Sequence, residues 1–182
     1  MEEYLDIVDE NGDLTGAREL RRVAHENGLW HRTVHVYFYR VVSGEIELLV
    51  HLRSKLKSSS PNRWDPRFGG HVEAGQTVEE TVVKEALEEV GIEISLADLI
   101  VGAQRNHDGG NNKEVVNPFY YEFKGDIESL SFDDGEVQEV RWMSIPEIKK
   151  DIERNPDGWN SSGRGFDAII SDIKGSKASH NV

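Results

Sequence analysis

The chain has 182 residues, 37% of them apolar and 30% charged, with no cysteine and a formal net charge of −13. That fits one soluble domain long enough to bury a core. It excludes disulfides, thiolate metal sites and a cysteine nucleophile. So acidic a chain should also repel nucleic acid and anionic membrane, so neither is expected as a partner. No apolar run approaches the ~20 residues of a membrane helix. The opening "MEEYLDIVDE" has no basic segment followed by an apolar one, so no secretory signal is expected and the cytoplasm is the default.

"YLDIVDENGDLTG" reads as a short strand and a turn, and "ARELRRVAHENG" as a short helix stopped by Gly28. "TVHVYFYRVV" and "EIELLVHLR", separated by "SG", read as a hairpin. "SKLKSSSPNRWDPRFGG" has no period and is expected as loop. In the next stretch Thr77 and Glu80 form a T-x-x-E capping box. Val78, Val82, Ala86 and Val90 give an apolar stripe, and Gly91 is a C-terminal stop. A helix over 78–90 follows. "EVVNPFYYEF" and "EVQEVRWMS" are strand candidates. "SIPEIKKDIERNP" opens on a second capping box, Ser144 to Glu147, and "GRGFDAIISDIKG" reads as a last helix. One domain over 1–175 and a disordered tail over 176–182 are expected. Strands and helices mix without a regular βαβ repeat, which gives α+β, or an α/β/α sandwich around a mixed sheet.

The helix over 78–90 carries Glu85, Glu88 and Glu89 at i, i+3 and i+4, in its last turns. Like charges at that spacing cost roughly 0.2–0.5 kcal/mol per pair, and negative charge at a helix C-terminus opposes the macrodipole. A bound cation relieves both. All-oxygen ligands without cysteine point to Mg²⁺ or Mn²⁺. A solvated acidic face is the competing reading. With the glycine loop "FGGHVEAG" running into the helix, the unit suits diphosphate chemistry, in which metal neutralises phosphate oxygens and a spare carboxylate takes a proton from water.

Gly70, Glu85, Glu88, Glu89, Gly91 and Ile92 stand at the spacing of the Nudix box, G-x5-E-x7-R-E-U-x-E-E-x-G-U. The chain therefore resembles a Nudix hydrolase. The resemblance implies the α/β/α fold with a loop–helix–loop box, divalent-metal ligands at Glu85, Glu88 and Glu89, and a general base among them (Glu88 or Glu85) or outside the box. Gln76 stands where the pattern has Glu and Lys84 where it has Arg. Lys84 can still pair with Glu88 or Glu89, without a bidentate fork.

Beyond the box, "RRVAHENGLWHRTVHVYFY", "GGHVEAG", "EVVNPFYYEF" and "FDDGEVQEVRWMS" resemble the isopentenyl-diphosphate isomerase branch of the superfamily. By that resemblance His25, His31, His71 and Glu114 match a second metal site, with Asn112 near a further acidic position. Each histidine is otherwise an ordinary hydrogen-bonded structural residue. The isomerase places a catalytic cysteine where this chain has Gly69, so the layout is similar to that of isomerase-like hydrolases that lack the cysteine.

Arg53, with Lys55 and Lys57, forms a cationic stretch that either steers phosphate or is a solvated loop. Arg53, Lys57 and Gly70 are the substrate-binding candidates. Trp64 either stacks on a base or caps the core, and Glu136 sits near the metal site or on the surface. The expected activity is Mg²⁺-dependent hydrolysis of a small-molecule diphosphate. The alternatives are isomerase chemistry and a non-catalytic metabolite-binding module. Oligomeric state is not legible; a homodimer is compatible with the sequence.

Overall fold

The computed structural model describes residues 2–57, 59–132 and 135–179. Nine strands connect into one mixed sheet. Strand β1 (Tyr4–Val8) pairs antiparallel with β2 (Leu14–Leu20), and α1 is Arg21–Glu26. The helix expected from residue 17 thus starts four residues later. Ala17 to Leu20 instead complete a hairpin with β1, in which Tyr4 pairs with Leu20 and Asp6 with Arg18. Tertiary pairing overrides local propensity there.

The expected hairpin is β3 (Trp30–Val42) and β4 (Glu45–Arg53), closed by Ser43 and Gly44 in left-handed conformation. Such a turn matches the twist of its strands. The following loop contains a two-residue strand, β5 (Trp64–Asp65), paired with β4. Helix α2 is Val78–Val90, with the Thr77–Glu80 capping box formed and Gly91 left-handed at its end. Three further strands complete one side of the sheet. Strands β6 (Leu99–Val101) and β7 (Arg105–Asp108) both pair antiparallel with β8 (Lys113–Glu122), which runs parallel to β3. Strand β9 (Val137–Ser144) pairs with β4 and leads through the Ser144–Glu147 capping box into α3 (Ile145–Arg154). Helix α4 is Phe166–Ser179, so residues 176–179, expected as tail, are helical; residues 180–182 lie outside the described residues, as do Asp133 and Asp134 of the "FDDGE" stretch. No helix among the described residues is long and apolar enough to cross a membrane.

Alternation along β3 explains the layers. Val34, Val36 and Phe38 face α2, meeting Val82, Ala86 and Val90. Tyr37 and Tyr39 face the other way, with Ile148, Ile152, Ile169 and Ile173 from α3 and α4. The α/β/α arrangement follows.

One polar contact ties α4 to the sheet. Asp172 accepts from the Tyr120 hydroxyl at 2.6 Å and from Arg105 at 2.5 Å. Burial and that acceptor push the Tyr120 phenol above its ordinary pKa, so it stays a donor. Asp172→Ala is expected to cost about 1.5–3 kcal/mol, because it strands two donors. Denaturant unfolding together with amide exchange in α4 checks it; unchanged protection of α4 would show that apolar packing alone holds the helix.

Candidate active site

The box loop crosses the sheet as an extended segment. Phe68 pairs through its backbone with Val36, and His71 lies opposite Thr33. Two glycines are needed here for different reasons. Gly69 has φ of 116°, and a Cβ on it would lie 2.3 Å from the Val34 carbonyl oxygen. A side chain at 69 therefore demands that the backbone shift. A Cβ on Gly70 would meet the Glu85 carboxylate at 3.0 Å, so this backbone lies directly against that group.

Glu85 and Glu89 line a cavity of about 430 Å³ together with Gly69, Gly70 and His71. The size is ordinary for a small-molecule site. Glu89 accepts the Gly69 N–H at 2.6 Å, which fixes its orientation. Burial pushes the Glu85 carboxyl up to about 7; Lys84 opposes that, and the charges of Glu88, Glu3 and Glu73 add to it. Glu88 differs from the other two. Its side chain is 59% exposed and it does not line the cavity. The sequence gives all three the same helical face, but only the loop packed against α2 makes two of them inward.

Lys84 takes a partner that sequence spacing does not suggest. Its ammonium lies 2.6 Å from Glu73 and 3.9 Å from Glu88. That ion pair joins the loop to α2, and the Glu73 hydrogen bond raises the Lys84 pKa. Gln76 accepts from the Thr81 hydroxyl at 3.3 Å, at the start of the helix rather than in the cavity.

The three histidines converge. Their ligand atoms all lie within 4.8 Å of one another. His31 is buried, with Nδ1 2.9 Å from the Leu29 carbonyl and Nε2 3.3 Å from His25 Nε2. A carbonyl only accepts, so His31 Nδ1 carries a hydrogen, and Nε2 is the ring nitrogen turned to the other histidines. Burial, with Arg21 and the neighbouring imidazoles, drives His71 down to about 2. His71 Nε2 is buried with no hydrogen-bond partner among the described residues, and Glu114 stands 3.9 Å away. Asn112 donates to that same Glu114 oxygen at 3.0 Å. Glu3, absent from sequence reasoning, lies 3.5 Å from His71 Nδ1.

The cationic stretch is less free than its charges suggest. Arg53 lines the cavity, but its guanidinium donates to the carbonyls of Ser59 and Ser60. Lys57 pairs with Glu136, which brings both to the cavity wall. Lys55 is exposed and outside it. Trp64 belongs to the core, packed against Trp159 with the Arg141 guanidinium 4.0 Å over its ring. Sequence reasoning missed Arg67, Asp65 and His51. Asp65 is buried and bound by Arg67 at 2.8 Å, and Arg67 and His51 line the cavity. The signal was the charged pair in "DPR", one residue before the glycines, which loop composition concealed.

The donor sets fit divalent cations. Glu85 and Glu89 offer hard oxygens, and burial of Glu85 makes its ionisation without a cation costly. The orphaned His71 nitrogen beside His31 Nε2 and His25 fits a second, nitrogen-ligated ion.

Comparison with known proteins gives the same picture. The NUDIX domain family matches residues 29–161. An uncharacterized Nudix hydrolase of Clostridium acetobutylicum is 32% identical over 166 residues, covering 89% of this chain and 80% of that one. An isopentenyl-diphosphate Delta-isomerase of Aliivibrio fischeri is 29% identical, covering 86% and 88%. A crystal structure from Deinococcus radiodurans shares the fold with a TM-score of 0.68 at 24% identity, covering 84% of this chain and 90% of that one.

Proposed function

The chain belongs to the Nudix family, and so to a class of pyrophosphohydrolases; from that premise we propose that it is a Mg²⁺- or Mn²⁺-dependent hydrolase. Its substrate would be a small phosphorylated metabolite with a diphosphate linkage, of the kind in which a nucleoside diphosphate is joined to a further moiety. The observation that carries this reading is the pair Glu85 and Glu89 in one cavity, the first carboxyl raised by burial and the second held by the Gly69 N–H.

Glu85 and Glu89 would hold the cation; Glu88, exposed and outside the cavity lining, would join them only by swinging inward. When bound, the ion would neutralise phosphate oxygens and ease deprotonation of a water. The chain's own residues do the rest. The Lys84–Glu73 pair anchors the loop to the helix and keeps Gly70 against Glu85. Glu85 or Glu88 accepts the proton from the attacking water. Arg53, Lys57 and the Gly70 backbone meet the substrate phosphates at the cavity wall, Lys57 by exchanging its Glu136 partner. The convergence of His25, His31 and His71, with Glu114 beside them, supports a second metal site next to the first.

Isomerase chemistry is disfavoured by the backbone as well as by composition. Gly69 offers no titratable group, and the Val34 carbonyl occupies the space any side chain at 69 would need. His71 is kept neutral and does not replace a thiol acid.

The test is a panel of nucleotide sugars, dinucleotides, nucleoside triphosphates, thiamine diphosphate and isoprenoid diphosphates with Mg²⁺ or Mn²⁺. The expected result is EDTA-sensitive release of phosphate-containing fragments from at least one of them. Ligand-induced melting shifts without any product would support a binding module instead. Deuterium incorporation into isopentenyl diphosphate in heavy water, above a protein-free control, would overturn the choice of hydrolase over isomerase.

A further inference from the structure

Arg67 and His51 line the same cavity as the carboxylates but have no part in holding a cation. Arg67 is fixed along one edge. Its Nε and Nη2 donate to the two Asp65 oxygens at 2.8 and 3.1 Å, and Nη2 also reaches the Asn160 carbonyl at 2.5 Å. Its Nη1 has no hydrogen-bond partner among the described residues. The side chain is 29% exposed, and the cavity is where it is open. A guanidinium clamped on one edge and open on the other is a preorganised donor for a phosphate or carboxylate. Its role as partner of Asp65 uses only part of its donor set.

His51 supplies the second observation. It is 5% exposed, its ring lies 4.4 Å from the Phe68 ring, and its Nδ1 is buried with no partner among the described residues. With Nδ1 enclosed, the ring nitrogen left to face the cavity that this residue lines is Nε2. Burial drives its pKa to about 4, so the ring is neutral and can donate from one nitrogen. His51 packs on Phe68, which follows Arg67 in the chain, and the next two residues, Gly69 and Gly70, are the ones against Glu89 and Glu85. Arg67 and Gly69 are two residues apart, about 7 Å along extended chain.

We propose that Arg67 and His51 form a second anion subsite of this cavity, holding the phosphoryl group of the substrate that the carboxylate-held cation does not. This deepens the diphosphate reading and rests on it for the position of the first phosphoryl group. It makes Arg67 and His51 determinants of specificity.

The test is calorimetric binding of methylenebisphosphonate and of methylphosphonate in Mg²⁺, two probes that the enzyme does not cleave. The wild-type chain should prefer the bisphosphonate at least ~10-fold, a size typical of one charge-assisted hydrogen bond. Arg67→Lys keeps a cation for Asp65 but loses the second edge. It should compress the preference about 10-fold and leave methylphosphonate binding unchanged, a pattern that loss of structure does not produce. His51→Leu should compress it in the same direction. If Arg67→Lys fails to fold, the double variant Asp65→Asn with Arg67→Gln replaces the ion pair by amides, and the same compression is expected. No preference in the wild type, or an unchanged preference in a folded Arg67 variant, overturns the subsite. A wild-type chain that cleaves diphosphates while its Arg67 variants keep the preference defeats this inference alone. One that shows the preference but cleaves nothing leaves the subsite standing and defeats the hydrolase.

Discussion

Glu85→Gln is expected to stabilise the metal-free protein at pH 8 and, in the same variant, to lower metal-dependent turnover at least ~100-fold. The stability effect follows from burial, which pushes the Glu85 carboxyl from 4.5 to about 7. A carboxyl raised in the folded state favours folding while protonated, so its contribution is fully present below about 4.5 and is lost as the pH rises through about 7. Glutamine mimics the protonated acid at every pH. The gap between variant and wild type should therefore be nil near pH 4, open between about 4.5 and 7, and stay level above. The interval from 4.5 to about 7 corresponds to a cost on the order of 3 kcal/mol, or several degrees in Tm for a domain of this size. Mg²⁺ should reverse the order, because only the wild type gains stability by binding it through Glu85. The turnover loss assumes that the ion supplies several kcal/mol of charge stabilisation. Glu89→Gln should lose turnover similarly but gain less metal-free stability, since its carboxylate is already compensated by the Gly69 N–H. Equal Mg²⁺-induced melting shifts in wild type and both variants would remove these residues from the metal site.

The second large effect is expected at Asp65, the buried carboxylate that clamps Arg67. Its side chain is 3% exposed and receives hydrogen bonds from the Arg67 backbone and guanidinium and from the Asn160 amide. Burial works to raise its pKa, but the Arg67 charge and these hydrogen bonds outweigh it and hold the carboxyl at about 2. Asp65→Ala leaves the Arg67 cation without its counter-charge, which costs about 3–5 kcal/mol. The sign with pH is opposite to that of Glu85. A depressed carboxyl contributes stability above 3.8, lost as the pH falls towards about 2. The difference between wild type and Asp65→Asn should thus shrink over that interval. Urea unfolding at pH 7 and at pH 3 measures both. A cost below about 1 kcal/mol at pH 7 would mean the pair is screened through the cavity and that the loop before Gly69 does not depend on it.

Much of the architecture was legible in the sequence, because local rules carried it. The capping boxes at Thr77 and Ser144 and the left-handed stop at Gly91 use only neighbouring residues, and both helices form where they indicate. The hairpin of β3 and β4 is likewise local, set by alternation and a two-residue turn. The short pieces β2, β5, β6 and β7 were not legible. Strands β5, β6 and β7 form because a longer strand presents an edge to them, and β2 because β1 folds back on it; two to seven residues hold no period strong enough to announce that.

The site divides in the same way. Spacing alone determined that three glutamates share one face of α2, that the loop before it is glycine-rich, and that no thiol is present. Those features follow from helical geometry and composition. Only the tertiary structure decided that Glu85 and Glu89 turn into the cavity while Glu88 stays in solvent, since that depends on where the Gly69–Gly70 backbone lies against the helix. Only the fold brings His25, His31 and His71 together from a helix, a strand and a loop, and only the fold pairs Lys84 with Glu73 and clamps Arg67 on Asp65. These are contacts between separate elements of the chain. Their energies depend on burial and on distance in space, and a sequence specifies neither until the sheet has closed around them.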